Sequence, residues 1–259
     1  MRPLASERSS SARASFACAT ARRVYRGPGW YAAPVLVPMR GDVPARSAPI
    51  AVAAITALDV VAFFYLMSLA PSEATSLVDR YGLVPREFVR ALAHPVSGSE
   101  RIWLTPLTSM FLHGDALHLA GNLLYLWVFG TQIEDLLGHA RFGVFYLACG
   151  IAAALLHVAS APGSYLSTLG ASGAISGLLG AYAVSYPTGR LRLLWPSVRV
   201  PALLFLFVWI ALQLASGIQA YGTGSSGVAW WAHVGGFGAG AVLARAMAIR
   251  PPARSRSRI

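Results

Sequence analysis

Lysine is absent and carboxylates are scarce: all 21 basic residues are arginine, Asp and Glu together number 10, and charged residues make up 12% of the 259. Soluble domains carry about 25% charge, so this composition excludes a water-facing surface of ordinary extent. The only cysteines are Cys18 and Cys149, the second inside an apolar run, which excludes a disulfide framework and a thiolate metal cluster. No apolar stretch of about 7–15 residues follows the first arginines, so the N-terminal region does not read as a secretory signal. Most arginines stand just outside apolar runs, and the net charge of +11 is therefore a signal of membrane topology and not the footprint of a nucleic-acid partner.

What is abundant is apolar residue in long blocks. Hydrophobic residues make up 56% of the chain, and they fall into six runs at 49–69, 116–133, 142–159, 169–186, 200–217 and 228–244. Each is close to the roughly 20 residues that cross a bilayer as a helix. The expected fold class is an all-α membrane protein with six transmembrane helices, in three parts: a basic N-terminal tail (1–47), the membrane domain (48–246) and a basic C-terminal tail (247–259). Residues 1–38 are expected to be dispensable. Composition also allows a transit peptide there, or a chain start at Met39.

The arginines orient the bundle. With the N-terminus in the cytoplasm, 17 arginines fall in inside segments, leaving Arg80, Arg86, Arg90 and Arg101 outside; without the N-terminal tail the split is nine to four. Both termini are expected in the cytoplasm, in a multi-pass protein of the bacterial inner (cell) membrane. The long connection 70–115 is expected to rest in the membrane interface, with a short helix starting at Pro85 and carrying an apolar stripe of Phe88, Val89 and Leu92. Small residues four apart, Gly173/Gly177 and Ala232/Gly236/Gly240, predict close contact between the fourth and sixth helices. Asp59, central in the first run, is expected to be neutral or hydrogen-bonded and to face other helices.

Three polar clusters interrupt apolar helices at one membrane depth. His118 and Asn122 are four apart and share a helix face; Gly170-Ala171-Ser172-Gly173 opens the fourth run; His233 lies in the first turns of the sixth. Serine is a weak nucleophile until a base takes its proton, and histidine can take that proton and return it to a leaving group. His118, Asn122 and the Ser172 backbone N–H could supply donors to an oxyanion. No carboxylate accompanies His233, so a Ser/His dyad is expected and not a triad. Glu134 and Asp135 are read as local anchoring residues far from this cluster, and His94, His139 and His157 as solvated or satisfied in the core.

The segments FLHGDALHLAGNLLYLWVFG (111–130), GASGAISGLLGAY (170–182) and AHVGGFGAG (232–240) resemble the three signature regions of the rhomboid intramembrane serine proteases, in order. The resemblance runs from about residue 49 to 244 and implies the six-helix bacterial form. It further implies Ser172 as nucleophile, His233 as general base and acid, and His118 and Asn122 as oxyanion-hole donors. No cofactor or metal is implied, and the implied partners are single-pass transmembrane protein substrates and the lipid bilayer. Two positions depart from common members: Trp103 is followed by Leu104 where many carry Trp-Arg, and Ser176 stands where some place an aromatic on the catalytic imidazole. His113 is assigned a structural role in its loop. Two other function classes stay open at this point, a catalytically inactive relative that binds membrane proteins and a histidine-based metal transporter. Retention of both Ser172 and His233 speaks against the first, and the lack of paired carboxylates or thiolates against the second.

Overall fold

The computed structural model describes residues 38–41, 45–95, 100–194, 197–223 and 229–249. Each of the six apolar runs holds a helix. The elements are α1 (Ile50–Ser68), α2 (Pro71–Tyr81), α3 (Pro85–Ala93), α4 (Ala116–Tyr125), α5 (Thr131–Leu137), α6 (His139–Ser160), α7 (Ser172–Ser185), α8 (Ala202–Thr223) and α9 (Trp230–Ala246). The second run comprises α4 and α5, joined through π-helical turns at Leu126–Gly130. Among the described residues three helices, Ile50–Ser68, His139–Ser160 and the Ala202–Ala220 part of α8, are long and apolar enough to cross a membrane. Their outer faces fit that solvent: Val61, Phe64, Val144 and Phe207 are each 64–70% exposed, and such a density of bare apolar side chains on long helices suits lipid and not water.

The bundle is organised around α7. Its Leu178, Leu179 and Tyr182 are fully buried, as are Phe129, Ile133, Phe142 and Tyr146 from the helices around it. The Phe129 and Tyr182 rings meet edge to face at 5.2 Å. Against α9 the packing is closest, as the four-residue spacing of small residues predicts: a methyl group on Gly236 would overlap the Gly173 carbonyl oxygen, and one on Gly240 that of Gly177. Only glycine permits backbones to touch in this way.

The all-α expectation needs one correction. A small antiparallel sheet, ordered β1 (Pro38–Gly41), β2 (Arg190–Leu193), β3 (Arg199–Pro201), closes the end of the bundle where α7 finishes. The segment 1–47 is therefore not wholly a tail, since Pro38 pairs with Leu193 and Gly41 lies directly against the side chains of Gln132 and Tyr182. A protein starting at Met39 would shorten this strand by its first residue. Residues 1–37, including Cys18, and 250–259 of the C-terminal tail lie outside the described residues.

Glu134 and Asp135 anchor the start of α1 at the same end. The Glu134 carboxylate, fully buried, accepts the Ala51 and Val52 backbone N–H groups at 2.7 and 2.9 Å and contacts His139 Nδ1. Asp135 accepts from the Arg46 and Ser47 N–H groups and the Ser47 hydroxyl at 2.8–2.9 Å. The first N–H groups of a helix have no partner within it, and no side chain of the α1 N-terminus itself caps them; Glu134 supplies the cap from another helix. His139 thus has a partner at this end of the bundle. Replacing a cap costs about 0.5–2 kcal/mol, and hydrogen bonds to charged groups contribute roughly 1.5–3 kcal/mol. Glu134→Ala is accordingly expected to destabilise the protein by about 2–3 kcal/mol, read as a lower unfolding midpoint in detergent; an unchanged midpoint would contradict the capping role.

Asp59 faces inward as expected, fully buried, although neither of its carboxylate oxygens has a hydrogen-bond partner among the described residues.

Candidate active site

Three helices begin at the end opposite the sheet, and their first turns bring the polar clusters together. The backbone of Gly170 adopts φ +114°, a conformation that side chains disfavour, and its N–H is tied to the Ser109 carbonyl at 2.9 Å. This turn delays the fourth helix, which starts at Ser172 and not at 169, and places Ser172 at its first position. On α9, His233 lies one turn after Trp230. Because α7 and α9 touch along their glycines, the two side chains meet: His233 Nε2 lies 2.8 Å from Ser172 Oγ.

His118 and Asn122 approach from α4. Asp115 caps that helix by accepting the His118 backbone N–H at 2.8 Å, which fixes the start of the turn that carries His118. The missing side chain of Gly170 makes room for both residues, since a Cβ there would lie 2.7 Å from His118 Nε2 and 3.4 Å from Asn122 Nδ2. Asn122 is 7% exposed, and its Nδ2 donor has no hydrogen-bond partner among the described residues. A buried amide without a partner costs free energy, and here it stands beside the turn that carries Ser172. All four residues singled out from the sequence therefore converge on one site.

On its other face the imidazole meets a residue that sequence reasoning passed over. His233 Nδ1 lies 2.7 Å from Gln213 Oε1 of α8. Trp209, one turn earlier on α8, and Trp230 flank the same ring, at centroid distances of 5.9 and 6.2 Å. The arrangement holds the parts that acyl transfer uses: a hydroxyl, an imidazole nitrogen in contact with it, and an unpartnered amide donor beside the turn that carries the hydroxyl.

Residues 100–250 match the Rhomboid domain, more than half of the chain. The chain belongs to the rhomboid family. Among curated relatives, the presenilin-associated rhomboid-like protein of rat mitochondria (Rattus norvegicus) is 33% identical over 137 residues, 50% of this chain and 34% of that protein. RHOMBOID-like protein 1 of Arabidopsis thaliana is 34% identical over 146 residues, 56% and 34% of the respective chains. Rhomboid protease GluP of Bacillus subtilis is 30% identical over 196 residues, covering 74% of this chain and 34% of GluP. The chain thus spans about a third of the length of these relatives. It is a rhomboid-family integral membrane protein.

The two departures from common rhomboids have structural answers. Ser176 is buried and donates to the Ser172 carbonyl at 2.6 Å, so its hydroxyl serves the helix and not the imidazole; the contacts to His233 come from Gln213, Trp209 and Trp230 instead. Trp103 packs edge to face on Phe88 of α3 at 5.5 Å, while Arg101 is exposed. The connection 70–115 of this rhomboid is tied to the segment just before Ser172. Leu83 and Thr168 exchange backbone hydrogen bonds, the Arg86 N–H donates to Ser164, and the Arg86 guanidinium lies 4.3 Å from the Tyr165 ring. Helix α3 buries Pro85, Phe88 and Ala91. Leu92, expected on that stripe, faces outward at 56% exposure, while Phe88, with Val89 beside it, makes the contact with Ala154 and Val158 of α6. His113 precedes α4 and is buried with its ring 5.3 Å from that of His118, a place that suits support of the loop.

A signal for Gln213 was present in the sequence. It is the first strongly polar side chain along α8, and polar residues inside membrane helices are costly enough to need a partner.

Proposed function

We propose that this rhomboid is an intramembrane serine endopeptidase that cleaves transmembrane segments of single-pass proteins near the outer membrane face. The observation that carries the reading is the 2.8 Å contact between Ser172 Oγ and His233 Nε2, made by two helices whose glycines hold them in register. As Ser172 Oγ attacks the scissile carbonyl carbon, its proton passes to His233 Nε2. The carbonyl oxygen becomes an oxyanion, for which Asn122 Nδ2, His118 and the Ser172 backbone N–H are the donors. His233 then gives the proton to the leaving amine, the C–N bond breaks, and Ser172 carries an acyl ester. A water molecule, deprotonated by His233, hydrolyses that ester and restores the serine.

Six membrane-spanning segments, with both termini in the cytoplasm, complete the proposal. The arginine distribution supports it, as does the position of the Arg-containing strands β2 and β3 at the end away from Ser172. A helix of the 14 residues of α7 is about 21 Å long at 1.5 Å per residue, less than the roughly 30 Å of hydrocarbon. Such a helix leaves one end within the membrane, and in this proposal it is the Ser172 end, where a substrate helix would enter sideways from lipid. The bacterial inner (cell) membrane is the proposed location: the similarity to the Bacillus protein covers 74% of this chain, that to the mitochondrial rat protein 50%. The test is reconstitution in liposomes with a panel of artificial single-pass substrates, with and without chelator, beside Ser172→Ala. Cleavage that is chelator-resistant and lost in Ser172→Ala supports protease function; intact binding without cleavage by the unsubstituted protein would favour the inactive relative.

The oxyanion role makes its own forecast. Removing one such donor typically costs about 10²–10³ in rate, so folded Asn122→Ala is expected to retain measurable turnover, with kcat lowered by that factor and KM little changed. Near-normal kcat would remove Asn122 from the oxyanion site.

A further inference from the structure

We infer that Gln213 is the positioning residue of His233, holding the imidazole in the tautomer that leaves Nε2 free to accept the Ser172 proton. The inference rests on the protease reading of the same site. A neutral imidazole has one N–H and one bare nitrogen, and which is which follows from the hydrogen-bond partners. The Gln213 atom facing Nδ1 at 2.7 Å is the amide oxygen Oε1, which only accepts. Nδ1 must then carry the proton. Nε2, 2.8 Å from Ser172 Oγ, is left as the acceptor, as a general base requires. The opposite tautomer would set two lone pairs against each other at Nδ1.

The surroundings hold this pair in place. Trp209 and Gln213 are one turn apart on α8 and so present a common face, with the Trp209 ring tilted 40° to the imidazole and the Trp230 ring near perpendicular at 87°. One amide and two indoles thus restrain the ring, in a chain where Ser176 offers it nothing. In soluble serine proteases an aspartate performs the orienting task and also stabilises the imidazolium; its replacement by asparagine lowers kcat by about 10⁴. A neutral amide supplies orientation and tautomer without the charge, so its removal should cost less, about 10- to 100-fold.

The test combines kinetics with spectroscopy on the full-length protein in detergent. Gln213→Met keeps the length of the side chain and removes the acceptor; Gln213→Glu keeps an acceptor oxygen at the same reach. Expected are a 10- to 100-fold lower kcat for Gln213→Met with KM unchanged, and a kcat for Gln213→Glu within about threefold of the unsubstituted protein. Nitrogen-15 spectra of histidine-labelled protein, with the His233 signals assigned by their loss in His233→Ala, should show a protonated Nδ1 and a bare Nε2. A wild-type kcat in Gln213→Met, or a proton on Nε2 in the unsubstituted protein, would overturn the inference. The tautomer itself is read on the unsubstituted protein, and His233→Ala serves only to assign the signals. If Ser172→Ala cleaves as well as the unsubstituted protein, the protease reading falls instead, and the tautomer measurement still reports on Gln213.

Discussion

Ser172→Ala and His233→Ala are each expected to reduce cleavage of a reconstituted substrate to background, and the double substitution to be no worse than either. Nucleophile and base act as one unit: without the base the hydroxyl keeps its proton, and without the hydroxyl the base has nothing to activate. Losses in such a unit do not add, and in a soluble serine protease each alone costs about 10⁶ in kcat. The 2.8 Å contact between the two side chains is the geometric reason to expect the same here. The comparison requires proteins with matching unfolding profiles, since both residues sit at the closest helix contact of the bundle. If the double substitution were clearly slower than both singles, the two residues would be acting independently, and the coupled dyad would be wrong.

The second large effect concerns the frame that creates that contact. Gly240→Val is expected to prevent a stable fold, because any Cβ at this position overlaps the Gly177 carbonyl oxygen, a backbone atom that no rotamer change can move. Overpacking typically costs about 1–3 kcal/mol; a clash with backbone along the α7–α9 seam belongs at the upper end or beyond. Loss of the monodisperse detergent-solubilised species, or a fall of many degrees in its unfolding midpoint, is the expected result. Gly238, whose Cβ would meet nothing within 4 Å, is the internal control, and Gly238→Ala should behave as the unsubstituted protein. A Gly240→Val protein as stable as Gly238→Ala would show that the helices do not approach as described.

Much of this architecture was legible because the bilayer simplifies the code. Long apolar runs mark helices, and glycines four apart mark where two of them touch, so the α7–α9 pairing could be read from Gly173, Gly177, Gly236 and Gly240 alone. His118, Asn122, Ser172 and His233 stood out because polar groups in apolar helices need a reason. The sheet was hidden for the opposite reason: strands of three or four residues such as Arg190–Leu193 and Arg199–Pro201 have too few residues for a period, and their arginines read only as topology. The late start of α7 follows from the Gly170 backbone, which no hydropathy pattern encodes. Gln213 was missed because its meaning is tertiary: it lies 20 residues from His233, on a different helix, and only their packing makes the amide a partner for the ring. Glu134 and Asp135 were read as anchors, but which helix they anchor became visible only with α1 in place.

The central claim, that Ser172 is a nucleophile activated by His233, is tested most directly by covalent trapping. The folded protein would be treated with a fluorophosphonate, which phosphonylates only activated hydroxyls, and the adduct located by peptide mass spectrometry. A single adduct is expected on the peptide containing Ser172, absent from Ser172→Ala and strongly reduced in folded His233→Ala. An adduct on another residue, or equal labelling of Ser172 with and without His233, would contradict it.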